Sequence, residues 1–447
     1  MQSPLKTAWF NDSPLSIPNY RNLWIGQSIS TFGERFTTIA LPILVFELTG
    51  EVWQLGFAFF LQVLASVTFG LWAGALTDRW DRRRTMIYTE IARAGLILCI
   101  PLVLYLELST NVKLGLVYLI SFAVAAGERF FRPAKIGIIP ELVPKDKFMD
   151  ANAWDQGATN FTQFLGYTAA GFFIALTSTA TAFIVDAVTF LVSAFFLSRI
   201  VLTKRETEEK DSAEKPAILD SIREGLDVAW NIPLVRIVLI LGFMAPIAFG
   251  GLQPLLLVFS ERVLESGTIG FGLISGSMAL GGAIGYFLIN RMMKDQFRGY
   301  LLSYGILFLG GFQLLGVLLP VFAKPRLIDE TLVVGGLSLD SSMVLLAIAL
   351  PFFLLTTVAN SAITLGIRTI VQESTPRQMI GRVFSVVGVG GSVAIALGST
   401  TVGLADQFGV ASLMIFWAVF LIVIGLAAAV HPALQPPKAI ETTVSAD

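Results

Sequence analysis

The stretch that decides the fold is Gly74–Arg84, GALTDRWDRRR, which stands between two long apolar windows. It contains a small residue, Gly74, followed by two acidic residues, Asp78 and Asp81, and by four arginines at 79, 82, 83 and 84, the first of which lies between the two acidic residues. A small residue lets two helices approach closely. A carboxylate can face the positive end of a helix, and arginines can pair with carboxylates. The stretch therefore predicts a short charged loop that joins two helices and acts as a latch.

Outward from this loop, the chain is a series of apolar windows. A bilayer span needs about 20 mostly apolar residues. About twelve windows satisfy this requirement, near residues 22–47, 53–77, 86–106, 113–132, 152–176, 180–201, 233–259, 269–293, 300–322, 343–369, 379–405 and 410–431.

The composition agrees with this interpretation, because 55% of the residues are hydrophobic, only 14% are charged, and the mean hydropathy is +0.74. Soluble domains carry about 25% charged residues. We expect an all-α polytopic membrane protein. The even number of spans predicts that both termini lie on one side of the membrane.

Basic residues indicate which side that is. Lysine and arginine accumulate in cytoplasmic loops. One set of alternate loops holds the arginines of the quoted stretch and a charged segment beginning at Lys204, whereas the other set holds only Lys113, Arg262, Lys324 and Arg326. This distribution predicts cytoplasmic termini.

The charged segment Lys204–Lys215, KRETEEKDSAEK, divides the windows into two equal sets. We therefore predict a cytoplasmic segment at 1–20, a six-helix bundle at 21–201, a linker at 202–231, a second six-helix bundle at 232–431 and a tail at 432–447. Within the linker, Ile218, Ile222 and Leu226 recur every four residues, the pattern of an amphipathic helix that we expect on the cytoplasmic membrane surface.

Weak internal repeats support two related halves. At an offset of 232, Glu141, Pro144, Gly166 and Gly171 coincide with Glu373, Pro376, Gly398 and Gly403. At an offset of 212, Gly70, Arg79 and Tyr88 coincide with Gly282, Arg291 and Tyr300. Duplicated halves of the same orientation are typical of transporters.

Several function classes are disfavoured by what the chain contains. The net charge is −1, so no overall field attracts nucleic acid. The chain contains one cysteine, Cys99, and one histidine, His431. A cysteine- or histidine-based metal site and nucleophilic catalysis by Cys-His or Ser-His pairs are therefore disfavoured. The phosphate-binding pattern G-x-x-x-x-G-K-[ST] does not occur. We expect neither an enzyme nor a primary pump, and no cofactor or metal.

The quoted stretch resembles the G-x-x-x-D-R-x-G-R-R-[KR] cytoplasmic motif of the major facilitator superfamily, with Asp81 at the place of the glycine. The resemblance implies a twelve-helix fold with a gate formed by Gly74, Asp78, Arg79, Arg82, Arg83 and Glu141. It also implies that Asp78 meets the start of the eleventh span, where we expect Thr375 to be the N-cap and Pro376 the first helical residue. Asp81 lacks the freedom of glycine to adopt a positive φ angle.

Further stretches are similar to the enterobactin-exporter and macrolide-efflux branch of drug:proton antiporters. They are Asn22-Leu23-Trp24, Ser30-Thr31-Phe32-Gly33, Arg132-Pro133-Ala134, Ile139–Pro144, Ala151-Asn152-Ala153, Asp186–Phe190 and Gly381–Ser385. The similarity covers nearly the whole chain, and lysophospholipid transporters share much of it.

Ionisable residues inside the spans are candidates for proton or substrate handling, since unpaired charge is costly in lipid. Glu34 is the first candidate for the proton carrier. Adjacent helical residues point about 100° apart, so we expect Arg35 to lie on another face and Arg129 of the fourth span to pair with Glu34 across the cavity. For Glu128 and Arg129, contact with lipid headgroups or with the latch at the cytoplasmic rim is an equal alternative.

Three further charges complete the set. Glu90 and Arg93, three residues apart, predict a local ion pair of structural role. Asp186 is expected to support packing. Arg368, the main charge within the spans of the second half, can bind an anionic substrate group or reach the cytoplasmic surface.

The membrane carboxylates gather in the first half, while the second half is rich in glycine, phenylalanine and leucine. We therefore expect proton chemistry in one half and an apolar substrate wall in the other. The resemblance implies a monomeric inner-membrane exporter that exchanges a small amphipathic compound for protons, contacting lipids but no nucleic acid. A lysophospholipid carrier is the alternative within the superfamily, and a membrane sensor or enzyme is the alternative outside it.

Overall fold

The computed structural model describes residues 13–77, 80–202, 218–292, 298–327, 332–334, 337–376 and 379–435. The long helices of these residues are α1 (Pro18–Thr49), α2 (Val52–Thr77), α3 (Arg82–Tyr105), α4 (Thr110–Leu142), α5 (Phe148–Leu176), α6 (Thr179–Ser198), α7 (Ile218–Asn231), α8 (Pro233–Leu252), α9 (Gly267–Met292), α10 (Arg298–Leu327), α11 (Ser341–Ser374), α12 (Ile380–Thr400) and α13 (Val410–Val430).

Shorter elements connect them. Single helical turns lie at Pro14–Ser16, Lys145–Lys147, Leu255–Val258, Thr401–Leu404, Ala405–Phe408 and Pro432–Leu434, and a π-helical turn at Phe259–Val263. Two antiparallel strands, β1 (Leu332–Val334) and β2 (Leu337–Leu339), form a hairpin between α10 and α11. Apart from these six residues, the regular structure of the described chain is helical, as the all-α prediction expects.

Local chemistry explains several helix boundaries. Pro18 and Pro233 occupy first-turn positions, where the missing N–H costs nothing. Gly50 ends α1 with a φ of 69°, the left-handed conformation that glycine adopts most readily. The Asp81 side chain accepts a hydrogen bond from the Arg84 N–H at 2.7 Å and thereby caps the start of α3.

Eleven helices of the described chain are long and apolar enough to cross a membrane. They correspond to eleven of the predicted windows. The remaining window, 152–176, forms the 29-residue helix α5, which lies among the others but is not one of the eleven. Its polar residues, which include Asp155, Gln156, Asn160 and Gln163, explain the lower hydropathy.

The helices pack as two sets. Helices α1–α6 contact one another, and helices α8–α13 contact one another. The contacts between the N-terminal set and the C-terminal set are made mainly by α5 with α9 and by α2 with α12 and the turn Thr401–Leu404. We call the end that carries Arg82, Arg83 and Glu141 the arginine end, and the end that carries β1 and β2 the hairpin end.

The predicted amphipathic helix is present as α7 and begins at Ile218. It packs against α12 and α8. Glu224 of α7 forms an ion pair with Arg382 of α12, and Gly225 lies so close that an added Cβ would be 2.8 Å from the Arg382 carbonyl oxygen. The helix is therefore fastened to the C-terminal set.

Candidate functional site

A cluster of charged side chains lies within the N-terminal set. The Glu34 carboxylate of α1 forms an ion pair with Arg93 of α3 and a second with Arg35 at 2.9 Å. The side chain of Arg93 is 6% exposed and that of Glu34 is 22% exposed, so both pairs are largely shielded from bulk water. Such shielding strengthens the attraction between opposite charges and makes an unpaired charge costly.

Two aromatic residues hold the arginines in place. Arg35 donates a hydrogen bond to the Tyr167 hydroxyl at 2.9 Å, which links α1 to α5. Gly166 provides the room, because a Cβ there would lie 2.8 Å from Arg35 Cγ. The guanidinium of Arg93 lies 4.3 Å from the ring centroid of Phe190 on α6, a cation–π contact. The cluster thus connects α1, α3, α5 and α6.

Glu90 occupies a separate polar pocket behind Arg93. It is fully buried and accepts hydrogen bonds from Ser193 at 2.9 Å, from Gln27 at 3.1 Å and from Ser30 at 3.3 Å. These three donors replace the water that a buried carboxyl group would otherwise need.

Asp186 of α6 is 1% exposed and lines the same cavity as Glu34 and Arg93. Its Oδ1 atom and the hydroxyl of Thr37, which lines this cavity with it, lie close enough to interact, but neither forms a hydrogen bond of normal geometry with any described residue. Buried polar atoms without partners are uncommon and often mark functional positions. The arrangement leaves Asp186 able to accept a proton or a water molecule.

Glu128 and Arg129 of α4 pair with each other, with 3.2 Å between Arg129 Nη2 and Glu128 Oε2. Glu128 also lines the cavity of Glu34 and Arg93. Further along α4, Lys135 forms an ion pair with Asp155 of α5, with 2.8 Å between Lys135 Nζ and Asp155 Oδ1. These contacts neutralise most of the charge on this wall.

Two adjoining cavities contain this cluster. One of about 270 Å³ is lined by Glu34, Arg35, Arg93, Glu128 and Asp186, with apolar neighbours. The other, of about 830 Å³, shares the first four of these residues and continues along α4 and α5 toward the arginine end. Among the described residues of the C-terminal set, Arg368 of α11 alone lines this cavity.

The C-terminal set contains a cavity of a different character. Its volume is about 400 Å³, and most of its lining residues are apolar, among them Leu241, Phe249, Met278 and Ile363. Gln253, Gln313 and Asn360 contribute the amide groups. Ligand pockets commonly combine an apolar lining with a few polar groups. The predicted division between charged and apolar halves therefore has a counterpart in the cavities.

The two sets meet closely at the hairpin end. An added Cβ at Gly171 of α5 would lie 2.9 Å from the Cα of Gly272 on α9, and the reverse distance is 2.8 Å. Arg262 packs over the ring of Phe46 at 5.2 Å, which joins the segment after α8 to α1. The large cavity extends toward the opposite end. The structure is thus closed at the hairpin end and opens toward the arginine end.

The arginine-rich stretch connects three helices. Arg82 donates to the Glu141 carboxylate at 2.5 Å and to the Gly137 carbonyl at 2.7 Å, fastening α3 to α4. Arg83 donates to the Leu197 carbonyl at 3.1 Å and to the Ser198 carbonyl, fastening α3 to α6. Gly74 lies in α2, whereas Asp78 and Arg79 fall outside the described residues.

Two predicted contacts and one predicted helix cap are wrong. Glu34 forms ion pairs with Arg93 and Arg35 rather than with Arg129, because Arg129 pairs with Glu128. Arg35 reaches the adjacent Glu34 because its side chain is long enough to bend across the angle of about 100° between neighbouring helical residues. Glu90 and Arg93 form no ion pair within the described chain, since each has other partners.

The third error concerns Thr375. It ends α11 as its C-cap, while α12 begins at Ile380 after an N-cap at Met379. The Pro376 carbonyl instead accepts a turn hydrogen bond from Met379 N–H. Thr375 is buried, and its hydroxyl has no hydrogen-bond partner among the residues that the structure describes.

The sequence predicts a structural role for Arg93 and Glu90 and does not indicate the donors Gln27, Ser30 and Ser193. The available signal for Arg93 is its position within an apolar window, where an arginine requires a carboxylate partner, but the same window also offers Glu90. No sequence spacing relates Gln27 and Ser193 to Glu90, since the three lie on different helices.

Comparison with known proteins shows extended similarity. The sequence profile described as Major Facilitator Superfamily matches residues 23–399. The putative bacilysin exporter BacE of Bacillus amyloliquefaciens is 27% identical, with 87% of this chain and 89% of that protein covered. Macrolide efflux protein A of Streptococcus pyogenes is 22% identical, with coverage of 88% and 90%.

A solved structure is also similar. The crystal structure of a bacterial homologue of the iron transporter ferroportin in an inward-facing state superimposes with a TM-score of 0.69 at 14% identity. The match covers 96% of this chain and 100% of that one. At this identity the likeness concerns the fold.

Proposed function

The chain belongs to the Major Facilitator Superfamily, and on that premise we propose that it exports an amphipathic organic compound in exchange for protons. The family and its relatives are membrane transporters, not enzymes. Two relatives bear the names of exporters of bacilysin and macrolides, which supports efflux of an organic compound.

The membrane arrangement is part of the proposal. Helix α5, the fifth helix in chain order, also crosses the membrane and brings the number of spans to twelve. Helices α1–α6 and α8–α13 form two bundles joined by the segment 202–231. The arginine end is cytoplasmic, as the distribution of basic residues indicates, and holds both termini. The protein works as a monomer in the inner membrane, and the described conformation is open to the cytoplasm.

The difference in polarity between the two cavities supports an amphipathic substrate. A charged cavity of about 830 Å³ in the N-terminal set and an apolar cavity of about 400 Å³ in the C-terminal set suit a molecule with one polar and one apolar part. Burial of the apolar part contributes about 25 cal/mol per Å² removed from water. Charged groups then orient the polar part rather than supply most of the affinity.

Proton exchange is assigned to the Glu34 cluster. When ionised, Glu34 holds Arg35 and Arg93 on α1 and α3. Protonation of Glu34 would release both guanidinium groups, so the cluster has two arrangements that depend on one proton. Asp186, which lines the same cavity next to Thr37, is the group that relays the proton. Such a two-state element is what coupling requires.

The experiment is uptake into inside-out proteoliposomes energised by a pH gradient. We expect accumulation of a labelled macrolide that stops when a protonophore collapses the gradient. Lysophosphatidylcholine is the parallel substrate. Gradient-driven macrolide uptake supports the proposal. Lysolipid transport that is insensitive to the protonophore, without macrolide uptake, would instead establish the lysophospholipid carrier.

A further inference from the structure

Two arginines of the large cavity differ from its other charged residues. Arg132 of α4 and Arg368 of α11 both line the cavity of about 830 Å³. Both side chains are exposed within it, and neither forms an ion pair or a side-chain hydrogen bond with any described residue. One belongs to the N-terminal set and the other to the C-terminal set.

Each of the other charged residues of this cavity has a partner of opposite charge, although Arg35 and Arg93 share one carboxylate. Glu34 pairs with Arg35 and Arg93. Asp155 pairs with Lys135. Glu128 pairs with Arg129. Arg35 and Arg93 share the single Glu34 carboxylate, and Arg132 and Arg368 have no described partner, so the net charge of the wall is positive. A cavity with such a wall attracts anions.

Helix α11 joins this positive charge to the apolar cavity. Asn360, Thr364 and Ile367 line the apolar cavity, and Arg368 lines the charged one. Thr364 and Arg368 are four residues apart, so they lie on one helix face about 6 Å apart along the axis. A ligand with an apolar body at Thr364 would therefore bring a polar group at its end to Arg368.

We propose that Arg132 and Arg368 together bind an anionic group of the exported compound, a carboxylate, sulfonate or phosphate, while its apolar body enters the cavity beside Asn360 and Thr364. The proposal rests on the proposed export function and names the class of substrate. Guanidinium groups suit such anions because their planar N–H donors can bind two oxygens at once.

The position of the two arginines also links binding to movement. Without a ligand, two like charges face one cavity from opposite helix sets. A bound anion attracts both, which favours approach of the two sets at the arginine end. Binding of the anionic compound therefore promotes closure of the end that is open in this structure.

Two fluorescent naphthalene amphiphiles provide the test. 8-Anilino-1-naphthalenesulfonate carries the anionic group, and N-phenyl-1-naphthylamine is the same skeleton without it. Their affinities are measured with the full chain in phosphatidylcholine nanodiscs, for the wild type, Arg132→Gln and Arg368→Gln. Arg21→Gln is the matched control, since Arg21 is exposed on α1 and does not line this cavity.

We expect each cavity substitution to weaken sulfonate binding about tenfold, the effect of one charge-assisted hydrogen bond. The uncharged probe and the control should change less than about twofold. Unchanged sulfonate affinity in both variants would overturn the proposal. An equal loss for both probes would also overturn it, because the arginines would then act on cavity shape rather than on charge.

Nanodiscs that contain phosphatidylglycerol distinguish two sources of the anion. Displacement of the sulfonate by this lipid from the wild type, and not from the variants, would assign the site to lipid phosphate. Absence of displacement would assign it to a soluble compound. Both results uphold the anion site. Transport of both probes by energised proteoliposomes is measured separately. A wild-type protein that binds the sulfonate but transports neither probe would contradict the proposed export function and would leave the anion site supported.

Discussion

Arg93 of α3 and Glu34 of α1 form an ion pair inside the N-terminal helix set, where the arginine side chain is 6% exposed. The same carboxylate binds Arg35, so two guanidinium groups share a single acidic group. Buried charge is tolerated in a membrane protein when it is paired. Glu34 is therefore the group on which the charge balance of the cluster depends.

Loss of the Glu34 charge should destabilise the protein. In Glu34→Gln, Arg93 remains buried without a carboxylate partner, and removal of one member of a buried pair costs about 3 kcal/mol. We expect a lower midpoint of thermal unfolding in detergent. Glu107→Gln is the control, because Glu107 is exposed in the loop after α3. Equal midpoints for the two variants would show that the pairs contribute little.

Asp81 should matter as a helix cap and not as a charge. Its side chain accepts from Arg84 N–H at 2.7 Å. Replacement by alanine should cost about 1 kcal/mol, whereas asparagine or glycine should cost a few tenths. Unfolding midpoints of the three variants measure this order. A loss in Asp81→Asn as large as that in Asp81→Ala would indicate that the negative charge is what counts.

The contact between Gly171 and Gly272 should control closure at the hairpin end. A side chain at Gly171 would meet the Thr268 carbonyl oxygen at 2.8 Å and force α5 away from α9. We expect Gly171→Val to increase the labelling rate of a cysteine placed at Thr268, whose hydroxyl lies 3.5 Å from the Gly171 carbonyl oxygen, in a Cys99→Ser background. Gly157→Val on the same helix is the control, since a Cβ there meets nothing within 4 Å. Equal labelling rates would place the closing contact elsewhere.

The pH should affect the segment after α8 through Glu261. Burial raises the pKa of Glu261 above its ordinary value, although Arg262 opposes the shift. A raised pKa means that the folded state binds the proton more tightly than the unfolded state does. The resulting stability is present below the ordinary glutamate pKa of about 4.3 and is lost as the pH rises through the folded-state value.

Thermal unfolding between mildly acidic and neutral pH measures this effect. The decrease of the midpoint with rising pH should be smaller in Glu261→Gln than in the wild type. A variant with the same decrease as the wild type would show that other groups cause it.

Much of the helix arrangement was predictable, because long apolar windows such as 410–431 have few alternatives to a helix. Other features required the structure. The strands Leu332–Val334 and Leu337–Leu339 are short and mostly apolar, so hydropathy does not distinguish them from the end of a span. Thr375 and Pro376 have the residue types of a helix start, yet Ser374 already ends α11 and the next helix begins four residues after Pro376.

The candidate site was predicted in its residue types and not in its pairings. Glu34, Glu128 and Asp186 line one cavity, and the charges within apolar windows indicated them. Pairings depend on how helices are rotated and how far long side chains reach. Arg93 lies three residues from Glu90 yet bonds Glu34 on another helix, because Gln27, Ser30 and Ser193 already satisfy Glu90.

The central claim is proton exchange through Glu34, and the most direct measurement records proton and drug movement together in proteoliposomes that hold a pH-sensitive dye. On addition of a macrolide, the wild type and Glu107→Gln should move protons opposite to the drug, and Glu34→Gln should not. Drug movement by the wild type without proton movement, or drug-dependent proton movement that persists in Glu34→Gln, would contradict the account.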